Sequence, residues 1–190
     1  IHNQIFRSAV QLGRKFKFNE PHAVHVSQLS CAMFDDLAEL HQLSARHRSI
    51  LELAALLHEI GYFVSPRSKH KHSMYLISNA EIFGVGSREL NLIALVARYH
   101  RGANPNSRHV GYSQLERNDR VAVAKLAAML RLAKAFDVSQ TQRVQKLTST
   151  MTGNRLQFET HDVVDLALES LELGQVTGLF EDVFGAEVIL

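Results

Sequence analysis

The segment Ser49–His72 constrains the fold more than any other part of this chain. It reads SILELAALLHEIGYFVSPRSKHKH, and Leu51, Ala55 and His58 recur at helical spacing on one apolar face. His58 should therefore point into the core, next to the carboxylate of Glu59. An ionised carboxylate away from water is costly unless it is paired or bound to a metal. The segment predicts a buried helix that ends in a polar site; the alternative is a satisfied core histidine followed by a solvated basic loop.

Helical patterns cover most of the residues before position 139. The predicted helices run over residues 3–17, from Asn19 to about Leu43, and over 46–60, 72–80, 87–100 and 117–136. Asn19 is the predicted N-cap of the second helix. Hydrophobic residues make up 46% of the chain, which is enough for a packed core. These patterns predict a bundle of helices.

The pattern changes character at about Ser139. Residues 144–150 and 155–160 alternate like strands, with a hairpin turn around Gly153. Residues 165–173 fit a strand or a helix, 175–184 fit a helix, and 186–190 fit a last strand. The sequence thus predicts a mainly α fold, with a helical domain over 1–138 and a small α/β C-terminal subdomain over 139–190.

Composition excludes some classes of protein. No run of 18 apolar residues is present, so we expect no transmembrane helix and no membrane partner. The single Cys31 cannot form an internal disulfide, which favours a reducing, cytoplasmic location. A formal net charge of +2 is too small to indicate nucleic-acid binding by itself. The chain starts at Ile1 and not at Met, so we expect a piece of a longer polypeptide.

Five residues with metal-binding side chains occur at predicted helix ends beside apolar stripes. They are His22, His58, Glu59, His72 and His100. A helical bundle can bring such ends together, and imidazole and carboxylate ligands suit Zn, Mn, Fe or Mg. Each histidine alone is more often structural, but five in this arrangement predict a metal site.

Basic residues flank this set in two loops. Lys69 and Lys71 belong to the first loop, and Arg98 and Arg101 border the second. If both loops open at the same end of the bundle, their charges would add along one groove that attracts a phosphate chain. These four are the predicted phosphate-binding residues; the alternative is a solvated basic face.

Five motifs in order carry a resemblance to a known family. They are HAVHV, ALLHEIG, KHKHSMYLI, LVARYHRG and LRLAKAFD. Together they resemble an HD-domain phosphohydrolase over residues 19–145, and most closely the helical C-terminal region of the exopolyphosphatase and guanosine pentaphosphate phosphohydrolase family. The tail FEDVFGAEVIL is also similar to the C-terminus of that family. The resemblance implies an HD-like helical bundle with a small C-terminal α/β appendage.

The resemblance also implies roles for the candidate ligands. His22 would be the first HD ligand and His58 the second, with Glu59 in place of the signature Asp. His72 and His100 would match the extra histidines of binuclear HD proteins.

One position departs from the HD pattern. Lys134 stands where the last carboxylate ligand is expected, and Asp137 matches a later residue. A lysine there opposes a cation, and its ammonium could neutralise Glu59 instead. We therefore expect no cofactor, or a divalent metal ion held weakly.

The resemblance implies that an N-terminal actin-like domain of a parent chain carries phosphoanhydride hydrolysis. No Gly-rich phosphate loop and no series of alternating strands and helices for such a domain occurs here. The first hypothesis is therefore a non-catalytic region that binds or positions inorganic polyphosphate or a related polyanion. The expected protein partners are that actin-like domain and a second copy of this chain, in a homodimer.

Two alternatives remain open. The first is an autonomous metal-dependent HD phosphohydrolase acting on a nucleotide or phosphoester, in which His22, His58 and Glu59 hold a metal that activates water. The second is an oligomerisation or regulatory module with a vestigial site.

Overall fold

The computed structural model describes residues 1–190 as ten α-helices, one 3-10 helix and three strands. The helices are α1 His2–Lys15, α2 Glu20–Asp36, α3 Ala38–His41, α4 Ala45–Leu57, the 3-10 helix Ile60–Phe63, α5 Lys69–Ser78, α6 Ser87–Arg98, α7 Val110–Ser113, α8 Arg117–Ala135, α9 Ala167–Val176 and α10 Gly178–Phe184. The strands are β1 Leu147–Thr152, β2 Arg155–Thr160 and β3 Glu187–Ile189. The predicted fold class, mainly α with a small α/β part, is confirmed.

The core lies where α2, α4, α6 and α8 pack on one another. The second half of α4 is buried on nearly every side, which its sequence LELAALL dictates, and Leu51, Ala54 and Leu57 have no exposed surface. None of the helices is both long and apolar enough to cross a lipid bilayer.

The second predicted helix is interrupted where the sequence pattern suggested continuity. α2 ends at Asp36, and the short α3 follows after Leu37. His41, which is fully buried, lies 2.7 Å through Nε2 from the carbonyl oxygen of Phe34, and its Nδ1 accepts a 2.9 Å hydrogen bond from the amide of Leu43. These bonds satisfy backbone groups that the break leaves free.

α4 ends at Leu57, three residues earlier than predicted, and the chain turns through the 3-10 helix. A Cβ on Gly61 would lie 2.1 Å from the carbonyl oxygen of Lys69, so only glycine permits this approach of α5. The Gly61 amide donates to Ser73 Oγ and that hydroxyl donates to the His58 carbonyl, both at 2.8 Å. This clamp brings the first residue of α5 beside the end of α4.

The C-terminal residues form a three-stranded sheet of order β1-β2-β3 with α9 and α10. β1 and β2 form the predicted hairpin with Thr152 opposite Arg155, and Gly153 takes the positive φ of 62° that the turn requires. β3 runs parallel to β2. The segment that fitted a strand or a helix is helical, as α9.

The sheet and α9 are fastened to the helices. Asp36 Oδ2 accepts a 2.9 Å hydrogen bond from the amide of Ser149 in β1. Arg143 pairs at 2.6 Å with Glu169 of α9, whose side chain is 1% exposed. The main hydrophobic cluster continues from α8 into this part through Leu156 and Phe180. The division at residue 139 into two domains stays a prediction.

The only cysteine lies inside the bundle. Cys31 is buried in α2, with Sγ 3.9 Å from Glu52 Oε2. Burial and, to a smaller extent, the nearby Glu52 carboxylate raise the pKa of its thiol to about 12. The residue is a free, protonated thiol.

Candidate functional site

The end of α4 and the start of α2 place two imidazoles at the centre of the site. His58 has no exposed surface, and its Nδ1 donates a 2.5 Å hydrogen bond to the carbonyl of Ala55. The other ring nitrogen, Nε2, is buried without a hydrogen-bond partner. Burial lowers the pKa of His58 to about 4, so the ring is neutral at pH 7 and Nε2 offers a lone pair.

His22 is fixed from both sides. Its backbone amide donates to the Asn19 cap at 3.3 Å, which confirms the predicted N-cap. Its Nδ1 lies 2.6 Å from Asp137 Oδ2, which leaves Nε2 as the free ring nitrogen. Although burial opposes it, the hydrogen bonds from His22 and Gln142 lower the pKa of Asp137. Asp137 thus orients the His22 ring through Nδ1, on the side away from Nε2, a role that sequence spacing did not reveal.

Glu59 completes a three-residue group. The ligand atoms of His22, His58 and Glu59 all lie within 4.8 Å of one another, and Glu59 Oε1 is 3.7 Å from His58 Nε2. The structure therefore brings together three of the five predicted metal ligands. Metal-binding histidines commonly donate their second ring N–H to a carboxylate or carbonyl, as Asp137 and Ala55 allow here. These residues fit a divalent cation.

The cation in contact with Glu59 is Lys69, whereas Lys134 contacts His100 and acts on Glu59 only through its charge. Lys69 Nζ is 3.1 Å from Glu59 Oε1, whereas Lys134 Nζ lies 2.9 Å from His100 Nδ1. Although burial raises the pKa of Glu59, His58 and Lys69 together lower it to about 2. Burial lowers the pKa of Lys134 to about 8. The hypothesis that the Lys134 ammonium pairs with Glu59 is replaced by a Lys69 pair.

The other two predicted ligands are placed differently. His100 is fully buried, its ring centroid is 4.9 Å from that of His58, and its Nε2 has no partner. His70, which sequence reasoning did not single out, has its ring 6.5 Å from His100 and a buried, unpartnered Nδ1. His72 makes no ring contact with these histidines, and its Cβ lies on the Gly61 side of α5. Neither His72 nor His100 is within the three-residue group.

A cationic cavity of about 380 Å³ adjoins this cluster, between the bundle and α9. Its lining residues are Lys69, His100, Arg101, Gly102, Arg131, Lys134, Glu172, Gln175 and Val176. Four basic side chains there face one carboxylate. An anion of phosphate chemistry fits such a lining.

Arg131 builds the wall of this cavity. Its guanidinium donates to the carbonyl of Tyr99 at 2.7 Å, to Asn104 Oδ1 at 2.8 Å, and to the carbonyls of Gly102 and Ala103 at 3.2 Å. All three of its nitrogens donate to Tyr99 or to the loop after α6, so Arg131 contributes charge and holds that loop in position.

The four predicted phosphate-binding residues divide into two pairs. Lys69 and Arg101 line the cationic cavity. Lys71 and Arg98 do not line that cavity. Lys71 is exposed on α5, and the Arg98 guanidinium lies over the Tyr99 ring, 5.2 Å from its centroid. Spacing along the sequence could not separate these pairs, because neighbouring residues on a helix point in different directions.

A second cavity, of about 540 Å³, lies on the other side of Lys69. Its lining residues are Phe16, Lys17, Phe18, Asn19, Glu59, Tyr62, Phe63, Lys69 and Gln140. Lys69 and Glu59 therefore face an aromatic cavity as well, and Lys69 is shared between the two.

Comparison with known proteins relates this chain to enzymes that act on phosphate compounds. A family model described as Ppx/GppA phosphatase, domain III, matches residues 6–176. Similar proteins named guanosine-5'-triphosphate,3'-diphosphate pyrophosphatase occur in Aeromonas hydrophila, 28% identical over 140 residues (72% of this chain, 27% of that protein), and in Aeromonas salmonicida, 25% identical over 154 residues (80% and 29%). One from Pseudoalteromonas translucida is 29% identical over 104 residues (53% and 21%). The chain spans less than a third of the length of these curated relatives.

Proposed function

Because this chain belongs to the Ppx/GppA phosphatase family, whose domain III it matches over residues 6–176, we propose that it is the polyanion-binding region of a phosphohydrolase. The ligand is inorganic polyphosphate or a related phosphate chain. Hydrolysis belongs to an N-terminal actin-like domain of a longer parent chain, and the region described here positions the substrate for it.

The cationic cavity is the observation that carries this proposal. Lys69 comes from the start of α5, which the sequence predicted as a loop, and Arg101 comes from the loop after α6. Lys134 also lines the cavity and is bonded to the neutral ring of His100. A phosphate oxygen that reaches Lys134 would meet an ammonium away from bulk water, where its attraction is stronger than at a surface. Glu172 of α9 is the one opposing carboxylate in the lining.

The test is the affinity of the chain for long-chain polyphosphate at several salt concentrations. Each cationic contact displaces counterions, so the contacts of Arg101 and Lys134 predict a log–log slope of about −1.4, using the slope known for single-stranded nucleic acids as a guide. An Arg101→Ala/Lys134→Met variant should bind several-fold more weakly and show a shallower slope.

The matched control is Arg7→Ala/Lys146→Ala, which removes two exposed positive charges outside the cavity. If the control and the cavity variant lose the same affinity, only net charge matters and the proposal is wrong. Absence of binding by the wild type at low salt has the same meaning.

A second candidate, metal-dependent phosphoester hydrolysis by this chain itself, is favoured by one observation. The buried Nε2 of His58 is without a partner beside Glu59 and His22, which would hold the ion. A divalent ion there would supply an activated water and Lewis acidity. Turnover of p-nitrophenyl phosphate with added Mn²⁺, lost in His58→Ala, would support this candidate, whereas the first proposal predicts no turnover.

A further inference from the structure

Lys69 connects the candidate metal ligands to the cationic cavity. Its Nζ is 3.1 Å from Glu59 Oε1, and the same side chain lines the cavity that contains Arg101 and Lys134. Both partners of the pair are mostly shielded from solvent, with 20% of the Lys69 side chain and 24% of the Glu59 side chain exposed. The ammonium therefore has two places to act, which lie next to each other.

The imidazoles beside Glu59 are arranged for a different cation. Asp137 holds Nδ1 of His22, and the Ala55 carbonyl holds Nδ1 of His58, so both rings keep their Nε2 free. His58 Nε2 is buried and unpartnered, which is costly for a polar atom. Two imidazoles and one carboxylate suit Zn²⁺, Mn²⁺ or Co²⁺. Glu59 Oε1, the oxygen 3.7 Å from His58 Nε2, is also the one that Lys69 holds, so a cation bound there would compete with Lys69 for it.

We propose that Lys69 is an internal counter-ion of Glu59 that a divalent cation displaces, and that the released ammonium then joins the cationic cavity, so that metal and anion bind cooperatively. A divalent ion at Glu59 repels the ammonium, whose next available partner is an anion in the cavity that it already lines. By linkage, an anion that attracts Lys69 must strengthen metal binding by the same factor. This inference rests on the proposed anion binding. Lys134 is not the displaced group, because its ammonium is bonded to His100 and Lys69 is the partner of Glu59.

The first experiment measures Co²⁺ affinity from visible absorption, without any anion ligand. Lys69→Met removes the competing cation and should bind Co²⁺ about fivefold more tightly than the wild type, the worth of a partly exposed ion pair. Lys69→Arg retains a competing cation and should stay near the wild type. Lys71→Met, an exposed neighbour, removes the same charge away from Glu59 and is the matched control. If Lys69→Met gains no more than Lys71→Met, or the wild type binds no Co²⁺, the inference fails.

The second experiment measures the coupling, with inorganic sulfate as an anion that binds Co²⁺ weakly. Saturating Co²⁺ should strengthen sulfate binding by about fivefold in the wild type and leave it unchanged in Lys69→Met. Acetylation of Lys69, followed by mass spectrometry, should be faster with Co²⁺ because the amine has left Glu59. Equal sulfate affinity with and without Co²⁺ would overturn the coupling.

The two proposals fail in different ways. If the metal-free wild type does not bind polyphosphate, the proposed function is refuted. Normal polyphosphate binding together with no effect of Lys69→Met on Co²⁺ would refute only the exchange at Glu59.

Discussion

Lys134 and His100 form an unusual pair, since both partners are bases. The lysine donates its hydrogen bond to a neutral ring, because burial lowers the pKa of His100 well below its ordinary value. Burial also lowers the pKa of Lys134, from 10.5 to about 8, while the Glu59 carboxylate partly opposes this shift. A charged group kept away from water for anion binding should cost folding stability.

Lys134 should therefore make stability depend on pH in the alkaline range. Between pH 8 and pH 10.5 the unfolded chain binds more protons at this residue than the folded chain, so the free energy of unfolding rises with pH. From pH 7 to pH 9.5 the rise from this residue is about 2 kcal/mol. Lys134→Met should lack that rise, whereas Lys146→Met, at an exposed position, should keep it. Urea denaturation of both variants at the two pH values measures the difference; parallel curves would contradict it.

The convergence of His22, His58 and Glu59 could be predicted from the sequence, because helix ends in a bundle meet and the apolar stripes fix which way these residues face. The partner of Lys134 could not. A lysine has four rotatable bonds, so its position on a helix does not determine where its ammonium lies. Asp137 was missed for a different reason: it follows the end of α8, where no helical period constrains its direction.

At the scale of elements, the junction between α4 and α5 decides the geometry of the site. Gly61 allows the α5 backbone to approach, and that approach places Lys69 beside Glu59. The predicted helix over 46–60 ends just before Gly61, but the reason for glycine here is close packing against α5. Tertiary structure was equally decisive at Leu37, where a continuous helical pattern is interrupted. The His41 ring bonds the Phe34 carbonyl and the Leu43 amide, so these backbone groups are satisfied without a continuous helix.

Gly61→Ala should be strongly destabilising. The added Cβ would lie 2.1 Å from the Lys69 carbonyl oxygen and 2.3 Å from the Ser73 amide nitrogen, and neither backbone atom can move without shifting α5. We expect a loss of at least about 2 kcal/mol, as for other overpacked sites. Gly174→Ala in α9, where nothing lies within 4 Å, is the control and should gain up to about 1 kcal/mol. Thermal denaturation of both variants checks this; equal melting temperatures would exclude the clash.

At the scale of the whole molecule, the cationic cavity depends on both parts of the chain. α9 supplies Glu172, Gln175 and Val176 to its lining, and the Arg143–Glu169 pair fastens α9. The hydrophobic cluster runs through both parts without a gap. Composition revealed the change in character at residue 139 but not this shared core, which depends on contacts between distant residues.

The continuous core predicts one cooperative unfolding transition for residues 1–190. Circular dichroism and tyrosine fluorescence should report the same urea midpoint. Two separate transitions would instead support independent domains divided at residue 139.

The Arg143–Glu169 pair gives a second measurement of the same connection. Arg143→Met leaves the buried Glu169 carboxylate unpaired. It should reduce the free energy of unfolding by about 3 kcal/mol and so lower the urea midpoint. Arg143→Met/Glu169→Met removes both charges and should recover most of that loss. A single variant that unfolds like the wild type would show that α9 is fastened by packing alone.

The buried thiol of Cys31 is a built-in probe of how fast the structure around it opens. A disulfide dye reacts only with a thiolate that can reach it from solvent, because the thiolate is the attacking nucleophile. In the folded chain Cys31 is 6% exposed and its pKa is about 12, so the thiol is both shielded and protonated. The rate at which the dye consumes this one thiol therefore reports the opening of the structure around Cys31. Because no other cysteine reacts, that opening rate can be followed as polyphosphate or metal is added, without introducing any label.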